Sequence, residues 1–206
     1  MSKADFQNKF DVSRETMDRL ERYEALIQKW NLKINLIASS TLSEIWNRHF
    51  LDSGQLVPFA PTSGTWLDLG SGGGFPALVI ASMTKDTCPE LSFTLVESDT
   101  RKAVFLRTVI RELGLNANVM SDRIEKTSPQ NVGVVSARAL GPLSKLIEYA
   151  EIHLNQDGIA LFPKGSSHKS ELEQALECWS FDVETISSVT DLSAAIFAIK
   201  DIRRVK

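Results

Sequence analysis

The chain has 206 residues, 43% of them hydrophobic and 24% charged, with a net charge of −3. That balance suits one globular body and announces no nucleic-acid partner through total charge, so any basic surface must be local. Two cysteines outside any ligand spacing (Cys88 and Cys178), a polar start "MSKADFQNKF" and apolar runs far short of the ~20 residues of a membrane span exclude a disulfide frame, a zinc cluster, a signal core and a spanning helix. The expectation is a soluble cytoplasmic protein without a metal centre.

In chain order, Met17, Leu20, Tyr23, Ile27, Trp30 and Ile34 recur at spacings of three and four, which predicts an amphipathic helix over 13–34. Thr41 and Glu44 have capping-box spacing and predict a second helix at "TLSE"; "PFAPTSG", 58–64, reads as a connector. Residues 1–60 are therefore expected to form a helical extension and 61–206 the main domain. From there strands alternate with helices. "TWLDL" is a strand and "ALVIASM" a helix; "SFTLVE", 92–97, is a strand and "TRKAVFLRTVIRELG" a helix stopped by Gly114. "ANVM", 117–120, "GVVSARA", 133–139, and "GIALFPKG", 158–165, are further strands. "PLSKLIEYA" is a helix opened by proline, and "SELEQALE" one with Ser170 and Glu173 at capping-box spacing. "FDVETISSV" and "AAIFAIK" follow with no helix between them and predict an antiparallel pair. The pattern predicts an α/β fold: a mostly parallel, seven-stranded Rossmann-like sheet with a C-terminal antiparallel hairpin edge, of the class I methyltransferase type.

The first strand runs into "WLDLGSGGGFPALVIA", 66–81. A glycine-rich turn between strand and helix lets backbone approach a ligand, and in such sheets ligands lie beyond the C-terminal strand ends. Gly72, Gly74 and Ala77 fit the dinucleotide fingerprint, and Glu97 follows at the spacing of a ribose-binding acid. Asp68 discriminates. With Gly70, Gly72 and Gly74 it makes D-x-G-x-G-x-G, and a carboxylate beside the turn repels a pyrophosphate. It suits the sulfonium and ammonium of S-adenosylmethionine, the cofactor this reading favours over NAD.

The combination of this motif with "KWNLKINLIA", "RHFLDS" at 48–53, "FTLVESDTRKAVFLR" at 93–107, "DRIE" at 122–125, "VSARAL" at 135–140 and "LFPKG" at 161–165 resembles the RsmG family, once called glucose-inhibited division protein B. The resemblance covers nearly the whole chain. It implies transfer of a methyl group from S-adenosylmethionine to N7 of guanine-527 of 16S rRNA, with that rRNA or the small ribosomal subunit as partner. It also implies cofactor contacts at Gly70, at Phe75, at Ile124 and Glu125 after the third strand, and at Arg138 after the fourth. Glu97 stands where many members have aspartate, and Gly73 where some have proline.

The chemistry read from the residues alone agrees through what is missing. Neither cysteine is placed to attack a pyrimidine carbon, and "SARALGP" lacks the loop that serves exocyclic amines. Lys164 is the one candidate base for a ribose hydroxyl, which keeps 2′-O-methylation open; guanine N7 offers its lone pair without deprotonation. No catalytic residue is assigned. For RNA, Arg107 and Arg111 lie i, i+4 on the face of their helix away from the apolar arc, with Arg101, Lys102, Arg123 and Lys126 nearby, and Lys164 at a strand end. His49 reads as a packed or capping histidine. A monomer is expected. An NAD-dependent oxidoreductase and a non-catalytic RNA-binding module on the same fold remain as alternatives.

Overall fold

The computed structural model describes residues 2–205. Seven strands form one sheet in the order β3-β2-β1-β4-β5-β7-β6. They are β1 (Ser63–Leu69), β2 (Glu90–Val96), β3 (Ala117–Met120), β4 (Val132–Ala137), β5 (Leu154–Lys164), β6 (Trp179–Ser187) and β7 (Ala195–Arg204). The first five are mutually parallel, and β7 runs antiparallel to both β5 and β6. The expected hairpin edge is present. The chain winds outward from β1 through β2 to β3, then returns to lay β4 and β5 on the other side. This reversal between β1 and β4 opens a crevice at the C-terminal strand ends.

Helices cover both faces. On one, α4 (Ala77–Thr84) is buried at all eight residues, and α5 (Thr100–Leu113) turns Ala103, Phe105, Leu106, Val109 and Leu113 inward. Asp99 caps α5 by accepting from the Arg101 and Lys102 amides, and Gly114 ends it at φ +59°. On the other face lie α6 (Leu143–His153) and α7 (His168–Leu176), which share a core with Leu67, Val135, Phe162 and Phe197.

The amino-terminal segment contributes α1 (Lys3–Phe10), α2 (Arg14–Asn31), a 3-10 turn Ser39–Glu44, a π-helical turn Trp46–Leu51 and a short α3 (Asp52–Gly54). Its Phe6, Leu20, Tyr23, Ile27 and Phe50 join one cluster with Trp66, Leu78, Phe93 and Phe105 of the sheet layer. The extension thus completes the wall on the α4/α5 face.

Two local expectations are corrected, and one helix was not expected. The Thr41–Glu44 spacing makes no capping box: Thr41 Oγ1 donates to Ala38 O at 2.8 Å and meets His49 Nε2 at 2.9 Å, so the hydroxyl is taken and a 3-10 turn forms. Ser170 is not an N-cap either. Helix α7 begins at His168, and Ser170 Oγ donates back to Ser167 O. Helix α1 lies in the polar start that shows no periodicity; Ser2 and Asp5 form its capping box, and Phe6 alone is fully buried.

Candidate functional site

After Leu69 the backbone takes φ +65° at Gly70, +55° at Gly72 and +90° at Gly74, a region side chains rarely adopt. A Cβ on Gly70 would run into Leu140, and one on Gly74 into Tyr23 and Leu78. One on Gly72 would meet nothing nearer than Gly70 O at 3.8 Å, so this face of the turn is open. The turn is pinned from three directions. Tyr23 Oη donates to Gly73 O at 2.5 Å; Val96 O accepts from the Ser71 amide at 3.1 Å; Glu97 Oε2 accepts from the Gly72 amide at 2.8 Å. The other oxygen of Glu97 accepts from the Asp99 amide at 2.8 Å, so one buried carboxylate joins the turn after β1 to the cap of α5.

A cleft of about 470 Å³ opens there, and Gly70, Gly72, Glu97, Ile124, Glu125 and Tyr149 line it together with residues after β3 and β4. Five of the expected cofactor contacts therefore converge. Tyr149 escaped the sequence reading. It lies on the α6 face that also carries Lys145 and Leu146 into the cleft, and its hydroxyl donates to Glu125. That bond holds the Glu125 carboxyl below its ordinary range, while burial and then Glu125 push the Tyr149 phenol up to about 12.

Asp68, Phe75 and Arg138 do not line this cleft. Asp68 is fully buried beneath the turn. Its Oδ1 accepts from Ser136 Oγ at 2.6 Å, and that hydroxyl accepts from Trp66 Nε1 at 2.8 Å; Oδ2 has no partner among the described residues. Burial raises its carboxyl to about 7 against the pull of Ser136, Ser71 and Arg138. Phe75 packs in the core, its ring stacked 5.6 Å from Tyr23. Its outward face meets the Arg138 guanidinium, 4.9 Å from the ring centre.

Arg138 faces a second cleft of about 380 Å³ with Arg48, His49, Asp52, Lys164 and Thr190, and Ala139 borders both clefts. Asp52 pairs with Arg138 at 3.1 Å and also accepts from Thr190 Oγ1 at 3.0 Å. Lys164, expected to touch RNA, is engaged within the protein. Its ammonium pairs with Glu171 at 2.6 Å and donates to Gly141 O at 2.9 Å, with 10% of the side chain exposed. Arg107 and Arg111 line neither cleft. They lie on the outer face of α5, where Arg107 donates to Val119 O at 3.2 Å and Arg111 pairs with Glu112 at 2.9 Å. Lys102 and Arg123 are the cations that reach the first cleft from this side. Among the described residues no cluster of three or more His, Cys, Asp or Glu could hold a metal ion, and no helix is long and apolar enough to cross a membrane.

Comparison with known proteins covers both sequence and fold. Residues 16–199 match the family model GidB, described as rRNA small subunit methyltransferase G. The chain is 50% identical over 196 residues to Ribosomal RNA small subunit methyltransferase G of Cereibacter sphaeroides, covering 95% of each chain. It is 45% identical over 195 residues to the protein of the same name from Ruegeria sp., again covering 95% of each. Its fold is similar to that of M. jannaschii TYW2 in complex with AdoMet, with a TM-score of 0.59 at 11% identity over 84% of this chain and 80% of that one.

Proposed function

The chain belongs to the GidB family of rRNA small subunit methyltransferases and uses S-adenosylmethionine, and on that premise we propose that it methylates N7 of guanine-527 in 16S rRNA. When bound, the cofactor supplies an electrophilic methyl group on its sulfonium. The residues present fit it. Gly70 and Gly72 admit it to close backbone approach, Glu97 suits the ribose hydroxyls, and Ile124 with Glu125 the adenine side. The methionine end carries an ammonium and a carboxylate. Asp68, with one oxygen unpartnered among the described residues, suits the first and Arg138 the second; Phe75 acts on this end through the guanidinium it stacks against.

The observation that carries the N7 assignment is the state of Lys164. An ammonium held by Glu171 and Gly141 O is a donor, which takes away the one candidate base for a ribose hydroxyl. Guanine N7 needs no base, so the protein's part is to hold acceptor and cofactor in line and to stabilise charge as it leaves sulfur. Arg107, Arg111 and Arg48 offer phosphate contacts from the rim, and Lys164 stiffens the loop between the clefts. The reading carries with it a cytoplasmic monomer acting on 16S rRNA or the small ribosomal subunit.

The test is a single-turnover methylation rate at saturating cofactor against pH, with the product mapped by mass. The rate is expected to stay flat from about pH 6 to pH 9, with no essential ionisation, and Lys164→Ala to weaken RNA engagement. A steep limb that disappears in Lys164→Ala, with the label on a ribose, establishes 2′-O transfer instead.

A further inference from the structure

Arg138 follows β4, yet the amino-terminal extension holds it. Nη1 donates to Arg48 O at 3.3 Å and to Asp52 Oδ2 at 3.1 Å, and Nη2 donates to His49 Nδ1 at 2.8 Å. A guanidinium has five N–H donors and no acceptor. Three are used, so Nε–H and one Nη2–H are left without partners among the described residues. They belong to neighbouring nitrogens, the arrangement that meets a carboxylate through two parallel bonds.

The state of His49 follows from its partners. Arginine can only donate, so Nδ1 must accept and the imidazole is neutral with its proton on Nε2. Nε2–H donates to Thr41 Oγ1 at 2.9 Å, and Thr41 passes its own hydroxyl proton to Ala38 O at 2.8 Å. Every member of the chain is satisfied in this one arrangement. Burial first, then the Arg138 and Arg48 cations, lower the His49 pKa to about 3, so the arrangement persists at neutral pH. The ring also lies 4.9 Å from Phe75, which closes one face of Arg138.

We propose that His49 is a positioning residue: together with Asp52 and Arg48 O it occupies three donors of Arg138 and thereby reserves the other two for the carboxylate of the cofactor's methionine end. The inference rests on the reading of Arg138 as a cofactor contact. It makes the amino-terminal extension a part of the cofactor site.

The experiment compares binding of S-adenosylmethionine with that of its decarboxylated analogue by calorimetric titration. A charge-assisted pair of hydrogen bonds gives the wild type a preference of about tenfold or more for the carboxylate form. Arg138→Met removes the preference. His49→Gln places its amide where Nε2 stood and leaves Arg138 Nη2 without its acceptor, so the preference falls toward unity while the analogue still binds as in the wild type. That unchanged affinity reports an intact fold, and a purely structural role would weaken both ligands together. His49→Asn returns a carboxamide oxygen to the Nδ1 position and restores the preference. A His49→Gln protein with wild-type preference overturns the positioning role. A wild type with no preference overturns the reading of Arg138 and the inference with it. Should His49→Gln fail to fold, Thr41→Val, which deprives Nε2–H of its acceptor, must lower the same preference or the proposal falls.

Discussion

Asp68 is fully buried, with one oxygen on Ser136 and the other without a partner among the described residues, and its carboxyl is raised to about 7. The sign of the consequence is fixed by linkage. Between pH 4 and 7 the folded protein holds a proton that the unfolded chain has released, so this group's contribution to stability declines as pH rises through that window. A cationic ligand reverses the preference by favouring the carboxylate. S-adenosylmethionine affinity is therefore expected to rise with pH up to about 7, by at most about tenfold per pH unit, and to level off above. Titrations from pH 5.5 to 8 on wild type and Asp68→Asn check this. The variant is expected to bind weakly and with a flat profile, and a flat wild-type profile removes Asp68 from the ammonium end. His49, titrating near 3, adds nothing in this range.

At the scale of elements, α5 serves two purposes with opposite faces. Its inner face carries Phe105, Leu106 and Val109 into the core, and its capped first turn is tied through Glu97 to the glycine turn. Its outer face displays Arg107 and Arg111, of which only Arg111 has an acidic partner among the described residues, the exposed Glu112. An exposed pair contributes little, so that guanidinium remains available to phosphate. Arg107→Glu combined with Arg111→Glu is expected to weaken rRNA binding and to reduce its salt slope by about one to two, as two fewer counterion-releasing contacts require. Cofactor affinity should stay the same. Filter binding across a salt series reads both effects, and an unchanged slope means the face is merely solvated.

At the scale of the whole molecule, the extension and the sheet share one apolar cluster, with Phe6 fully buried against Phe10 and Trp46 at ring distances of 4.8 and 5.3 Å. Phe6→Ala should cost about 3–5 kcal/mol and lower a single melting transition by roughly 10 °C. Calorimetry showing two separate transitions would mean that residues 1–60 form an independent unit. Much of this architecture was legible in the chain. Strand and helix order, the hairpin edge, the glycine turn and the flanking Asp68 and Glu97 are written in periodicity, turn chemistry and spacings of a few residues, because backbone conformation is chosen locally. Helix α1 was not legible, since one buried phenylalanine makes no period. Nor were the partnerships that finish the site. Tyr23 reads as one member of a helical stripe, yet it holds Gly73, 50 residues away. Lys164 reads as an RNA-contacting cation at a strand end, yet Glu171 of the next helix pairs with it. His49 and Arg138 are 89 residues apart, and nothing in either segment announces the other. Hydrogen bonds between distant residues depend on distances of tenths of an ångström that arise only when the extension packs against the sheet. The sequence by itself determined the elements and the turn that admits a ligand; the tertiary structure decided which charges are bound to each other and which remain free to meet it.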